Sequence, residues 1–250
     1  MGFAPRSYFV FCMMILILPA VLCSSNKDAY VSSRATYYST PDGLGTPTGA
    51  CGYGEYGRTV YNGNVGGVSK LYRNGLGCGA CYEVRCKIPQ LCKATGVKVV
   101  ATDYGEGDNT DFILSKHAFE AMAKPGSASK LFAYGVVAVD YKRVPCDYPN
   151  HNLAVKVHEQ GRFPDYLAIL FVYQAGKNDI TAVQLWQAEY RQWKDTRKVY
   201  GAVWDMPNPP SGALSLRVQL NGGQNWVYLD KAIPKKWKTG HIYETGVKLA

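Results

Sequence analysis

Cys78-Gly-Ala-Cys81 sets two thiols three residues apart. Two thiols at this spacing can act as a redox couple or supply half of a zinc site. A zinc site needs further ligands of the same kind, and no second Cys-x-x-Cys follows. Of the 8 cysteines, Cys12 and Cys23 lie in or beside an apolar N-terminal run. The others are Cys51, Cys78, Cys81, Cys86, Cys92 and Cys146, an even number.

The N-terminal run decides between these uses. Arg6 precedes an apolar stretch from Tyr8 to Leu22, and Cys23, Ser24 and Ser25 supply small residues. Residues 1–24 read as a secretory signal peptide, cut near 20–25. The stretch is shorter than the roughly 20 residues a membrane span needs, and it contains Pro19. The mature protein is therefore expected to be secreted, with no membrane partner. In an oxidising compartment the six mature cysteines form structural disulfides. At this point their pairing is open.

Every mature cysteine precedes residue 147. Disulfides thus staple the first half, and the second must hold itself with a core. The junction falls near Val144-Pro-Cys-Asp-Tyr-Pro149, where two prolines interrupt any strand. This divides the mature chain into residues 26–147 and 150–250.

Composition sets the class of fold that positions these residues. With 47% hydrophobic and 19% charged residues the chain is globular. Its 26 glycines and 19 tyrosines suit a turn-rich β protein. Lys+Arg 28 against Asp+Glu 19 gives +9, with no long run of one sign. No nucleic-acid motif accompanies that charge, and no nucleic-acid partner is expected.

In the first half, Cys81–Cys86 alternates as a strand, Val97–Asp103 is strand-like, and Phe132–Lys142 reads as another strand. Leu114–Ala123 reads as a short helix capped by Ser115. Some six strands closed by disulfides suggest a small β-barrel. In the second half, Leu153, Val155 and Val157 alternate with other residues, and Tyr166–Tyr173 is nearly all apolar. Leu214, Leu216, Val218 and Leu220 alternate too, and Asn221-Gly222-Gly223-Gln224 turns the chain toward Trp226. About 100 residues of such strands imply an immunoglobulin-like β-sandwich.

Several motifs together resemble the plant expansin family, most closely its expansin-like A group. They are Thr36-Tyr37-Tyr38, Gly49-Ala-Cys-Gly-Tyr-Gly54, Gly77-Cys-Gly-Ala-Cys-Tyr82, Thr102-Asp103, Leu114-Ser115 with Ala118-Phe119 and Met122-Ala123, and Tyr200-Gly-Ala-Val-Trp204. The resemblance implies an all-β protein of two domains. The first is a six-stranded double-psi β-barrel like that of family-45 endoglucanases, and the second a carbohydrate-binding β-sandwich. It also implies the disulfides Cys51–Cys78, Cys81–Cys146 and Cys86–Cys92.

Inverting glycoside hydrolysis uses two carboxyls about 6.5–9.5 Å apart. Asp103 matches one acidic position of the family. The other stands in a His-Phe-Asp segment before Leu-Ser, where this chain has Asp111-Phe112-Ile113. Isoleucine neither gives nor takes a proton, so the pair is broken. Asp111 or Asp108 could be a displaced acid, with Glu106 a further candidate. All three also read as solvated loop charges. Asp103 itself reads as a sugar-binding groove residue or a structural cap. Thr36, Tyr38, Tyr53, Asp103 and Asp111 form the expected groove, with core packing the alternative for the tyrosines. His117 reads as an ordinary helix-surface residue.

In the second domain, aromatic rings in an exposed row would stack on the flat face of a polysaccharide. Tyr166, Trp193 and Tyr200 match the family's platform region. Trp186, Trp204, Trp226 and Trp237 read as core. Lys194, Arg197 and Lys198 could meet acidic pectin or form a solvated loop.

The expectation is a secreted, non-hydrolytic protein of the plant cell wall. It would bind cellulose, xyloglucan or pectin as a monomer, without cofactor or metal, and act in wall loosening or organisation. The competing reading is a secreted β-glucan hydrolase.

Overall fold

The structure, a computed structural model, describes residues 1–2, 29–106 and 110–249. The expected signal peptide falls almost wholly outside the described residues, as does Asp108.

Six strands close a barrel: β1 (Val31–Tyr37), β2 (Val65–Val68), β3 (Cys81–Cys86), β4 (Val97–Tyr104), β5 (Phe112–Leu114) and β6 (Val137–Val144). Their order is β1-β5-β2-β4-β3-β6. β1 with β5 and β2 with β4 are parallel, and the other pairings are antiparallel. The helix Lys116–Ala121 begins as expected at Ser115, whose hydroxyl accepts from the Ala118 amide at 3.0 Å and donates to the Gly63 carbonyl at 2.6 Å.

The strand expected over Phe132–Lys142 is corrected. A further helix spans Ala128–Ala133, and β6 starts only at Val137. Leu131 is fully buried, and Phe132 stacks on Phe119 with ring centroids 5.3 Å apart. These apolar residues therefore serve helix packing.

The disulfides are Cys51–Cys78, Cys81–Cys146 and Cys86–Cys92. Both thiols of the Cys-x-x-Cys motif are bound to cysteines outside it.

The second half contains nine further strands. They are β7 (Ala154–Val157), β8 (Tyr166–Val172), β9 (Ile180–Gln187), β10 (Gln192–Asp195), β11 (Arg197–Tyr200), β12 (Val203–Pro207), β13 (Leu214–Leu220), β14 (Trp226–Ile233) and β15 (Ile242–Glu244). They form two sheets, β11-β12-β8-β7-β15 and β10-β9-β13-β14. The Asn221–Gln224 turn joins β13 to β14, with Gln219 opposite Trp226.

The apolar run of β8 is explained by burial on both faces. Leu167, Ile169 and Phe171 fill the sandwich core. Ala168, Leu170 and Val172 pack with Cys51, Tyr53 and Cys78 of the barrel. The second half thus has a core of its own and also packs on the barrel. The molecule has three layers in sequence: barrel, five-stranded sheet, four-stranded sheet. The barrel-facing side of β7 carries a buried lysine, Lys156, whose ammonium donates to the Tyr53 carbonyl at 3.0 Å. Arg73 and Arg143 of the barrel both grip the buried Asp179 of the sandwich, at 2.8 and 2.9 Å.

Candidate functional site

The site grows from a row of residues in register across four barrel strands. Asp103 on β4 is opposite Gly67 on β2, Gly67 is opposite Ile113 on β5, and Ile113 is opposite Thr36 on β1. Residues paired in this way project from the same face of a sheet.

Asp103 is half-buried and pinned. Its Oδ1 accepts the Ala50 amide at 2.6 Å and the Tyr104 amide at 2.8 Å. Burial pushes its pKa above the ordinary carboxylate value, and the two amides and the Tyr38 hydroxyl partly offset that. Tyr38 lies against Asp103 and the Gly67 backbone, and burial raises the pKa of its phenol. Gly67 leaves room for Tyr38: a Cβ there would lie 2.9 Å from the Tyr38 oxygen and 3.3 Å from the Gly105 amide nitrogen, so a side chain would displace the phenol. Gly49 has the same constraint: a Cβ would lie 3.0 Å from the Asp103 carboxyl carbon.

The remaining expected groove residues are placed differently. Ile113 shares the row of Asp103 and is in contact range of the Gly105 backbone position. It brings no ionisable group. Thr36 is in the row, but its hydroxyl donates to the Gly135 carbonyl at 2.8 Å. Tyr53 is corrected from groove to core: it is 3% exposed and wedged between barrel and sandwich. Asp111 is corrected from groove acid to structural staple. Ser33 and Ser69 donate to its two oxygens, at 2.7 and 3.3 Å. The Glu106 carboxylate accepts the Tyr104 hydroxyl at 2.9 Å, and His117 is exposed on its helix.

Asp103 lines a small pocket with Tyr38, Gly49 and Thr102, and Gly49 also borders a wider hollow between barrel and sandwich. That hollow is an open cavity of about 530 Å³ lined by Thr48, Gly49, Glu55, His158 and Tyr200, among others. Tyr200 is 37% exposed. Its hydroxyl is 3.0 Å from His158 Nε2, and its ring abuts Gly52 of the barrel. Tyr166, on the same sheet, donates its hydroxyl to Asp205 at 2.6 Å. Burial lowers the pKa of His158, partly offset by Glu159.

Trp193 does not join this surface. It lies on β10, in the other sheet. Packed sheets lie about 10 Å apart, so the three-residue platform Tyr166, Trp193 and Tyr200 is corrected to two residues on one sheet. Trp204 and Trp237 are buried, as expected, but Trp186 and Trp226 are only partly buried, on the outer face of the four-stranded sheet. The basic cluster also divides. Arg197 is paired with Asp205 at 2.8 Å, Lys198 lies over the Trp204 ring at 5.6 Å, and Lys194 is exposed on β10.

Gly67 and His158 were missed from the sequence. Gly67 is visible only through register. His158 follows the alternating stretch 153–157 and carried no motif. Among the described residues, no three His, Cys, Asp or Glu side chains converge to hold a metal ion. No helix of the described residues is long and apolar enough to cross a membrane.

Comparison with known proteins agrees with this architecture. Residues 153–234 match the family model described as expansin C-terminal domain, and residues 64–141 match one described as lytic transglycolase. The chain is 51% identical to expansin-like B1 of Arabidopsis thaliana over 243 residues, 96% of each chain. It is 35% identical to expansin-like A2 of the same plant, over 96% of this chain and 92% of that one. A crystal structure of a mutant Clavibacter michiganensis expansin in complex with cellohexaose superposes with a TM-score of 0.67, covering 88% of this chain and 98% of that one at 22% identity, a likeness of fold. With a double-psi barrel, a C-terminal β-sandwich and half its residues shared with a full-length relative, this chain belongs to the expansin family.

Proposed function

We propose that this protein is a non-hydrolytic, polysaccharide-binding protein of the expansin type that acts in the plant cell wall. The observation that carries the reading is the row Asp103–Gly67–Ile113. It keeps one pinned carboxylate and places an isoleucine two strands away, so neither a paired acid nor a paired base faces Asp103 from that position. What remains is a binding surface. Asp103 accepts sugar hydroxyls, and Tyr200 and Tyr166 offer rings beyond it on the sandwich.

On this reading residues 1–24 direct secretion, residues 26–147 form the barrel domain and residues 150–250 the sandwich domain. The protein acts as a monomer on a wall polysaccharide. Cellulose is the first candidate, because the Clavibacter relative is named in complex with cellohexaose; xyloglucan and pectin are the others. The subgroup is better assigned to expansin-like B than to the expansin-like A group, since the identities are 51% and 35%.

The test is a creep measurement. Purified protein is applied to heat-inactivated wall strips under constant load, and reducing ends are measured in the same bath. Extension without release of reducing ends supports the proposal. Extension that tracks released sugar overturns it.

A further inference from the structure

The outer face of the four-stranded sheet is the side of the molecule farthest from the barrel. Such a face ordinarily carries polar residues. Here the outward positions of β9, β10, β13 and β14 include Trp186, Trp193, Trp226 and Tyr228, around Arg217. The core does not need these rings, because the alternate positions Val183, Leu185, Leu216, Val218 and Leu229 already fill it.

The rings are organised. Trp186 and Trp193 are register partners with centroids 5.3 Å apart, and Tyr228 is 5.7 Å from Trp193. The Arg217 guanidinium sits 4.7 Å from the Trp193 ring and 4.4 Å from the Trp226 ring. Its Nε donates to Gln184 at 2.7 Å, and Gln184 donates to Asp195 at 2.7 Å. Beside this network a cleft of about 320 Å³ is walled by Trp186, Trp193 and Tyr228, with Ser215 and Asp230 supplying oxygens. Tyr228 is 58% exposed.

These groups specify a ligand chemistry. The rings offer flat apolar surface to the C–H face of a pyranose. Asp230 already accepts one bond, from Ser215 at 2.7 Å, and its other oxygen can accept from a hydroxyl. The charges favour a neutral ligand. Arg217 keeps its charge while Gln184 and the Tyr228 hydroxyl take its donors, and Asp230 presents a carboxylate at the same cleft, so the two opposite charges leave the face without a net sign that would draw in a uronate.

We propose that this face is a second glycan site, which takes a chain of neutral pyranose units. It lies two sheets away from the Asp103–Tyr200 surface, so a single stretch of polysaccharide cannot occupy both. Given the binding role proposed for that first surface, one molecule would hold two chains at once.

Calorimetric titration of the full chain with cellohexaose tests the proposal, with polygalacturonate as the anionic arm and thermal melting as the check on folding. Wild type is expected to bind two cellohexaose molecules. Trp193→Ala is expected to leave one, with Tyr228→Ser as the second variant should the first unfold. Tyr200→Ala is expected to leave the other. Two sites that survive both ring variants of the far sheet overturn the proposal, as does a single site abolished by Tyr200→Ala. A single site lost only in the Trp193 or Tyr228 variants supports the second site and removes the first surface instead. Absence of cellohexaose binding by wild type overturns both. Polygalacturonate bound at the far sheet in place of cellohexaose overturns the assignment of a neutral ligand.

Discussion

Asp103 and Ile113 stand in one row of the barrel, two strands apart, with Gly67 between them. Neighbouring strands are about 4.8 Å apart, and the curvature of a closed six-stranded barrel puts the two Cα atoms roughly 8 Å from each other. A carboxyl at 113 would therefore meet Asp103 at about the separation an inverting pair uses. Asp103 is already raised by burial, and a second anion on the same face raises it further. Ile113→Asp is expected to move the Asp103 titration upward in a carboxyl NMR experiment. An unchanged or lowered Asp103 pKa would show that the two side chains do not share a face.

Asp111→Ala should cost about 1–3 kcal/mol, because the Ser33 and Ser69 hydroxyls lose their acceptor. Retention on cellulose should not change. A fall in retention with unchanged stability would return Asp111 to the groove.

His158 makes stability depend on pH. Its folded pKa lies below the ordinary value of 6.5, so the unfolded chain binds its proton more readily. Its contribution is fully present above about pH 6.5 and is lost as pH falls from there through the depressed folded value. The surrounding charges are Lys156 and Glu159, and its Nε2 faces the Tyr200 hydroxyl. The melting temperature is expected to drop on acidification across this window, and His158→Gln should flatten the drop. An equal drop in the variant would assign it to other groups.

Asp179→Ala removes the acceptor shared by Arg73 and Arg143 across the junction. Breaking a buried pair on one side typically costs about 3–5 kcal/mol. Both arginines are partly exposed, so the lower end is expected, about 3 kcal/mol. Chemical denaturation should also become less cooperative as barrel and sandwich uncouple. A variant as stable and as cooperative as wild type would mean that the packing around Tyr53 and the remaining polar contacts, such as that of Lys156 with the Tyr53 carbonyl, join the two bodies without Asp179.

The fold was legible where local pattern decides it. The strands at Cys81–Cys86 and Val97–Tyr104, the Ser115 cap and the 221–224 hairpin all follow from alternation or turn chemistry. Phe132 was misread because one apolar residue serves a helix face or a strand face equally well. The site was less legible, because its residues meet only through register and sheet assignment. Tyr53 and Trp193 are both aromatic residues in motif-bearing segments, yet one lies under the domain junction and the other on the far sheet. Nothing within a single strand distinguishes these places.

Tyr200→Ala should weaken retention on insoluble cellulose by roughly ten-fold, equivalent to about 1.4 kcal/mol, with only a small change in melting temperature. A variant that unfolds, or binds as wild type does, would remove Tyr200 from the surface.

The central claim, binding without cleavage, is tested most directly by one paired measurement. Wild type and Asp103→Asn are incubated with cellulose, and bound protein and released reducing ends are read from the same tube. The account predicts measurable binding by wild type, weaker binding by Asp103→Asn, and reducing ends at the protein-free background for both. Reducing ends that rise with wild type and vanish with Asp103→Asn would contradict it.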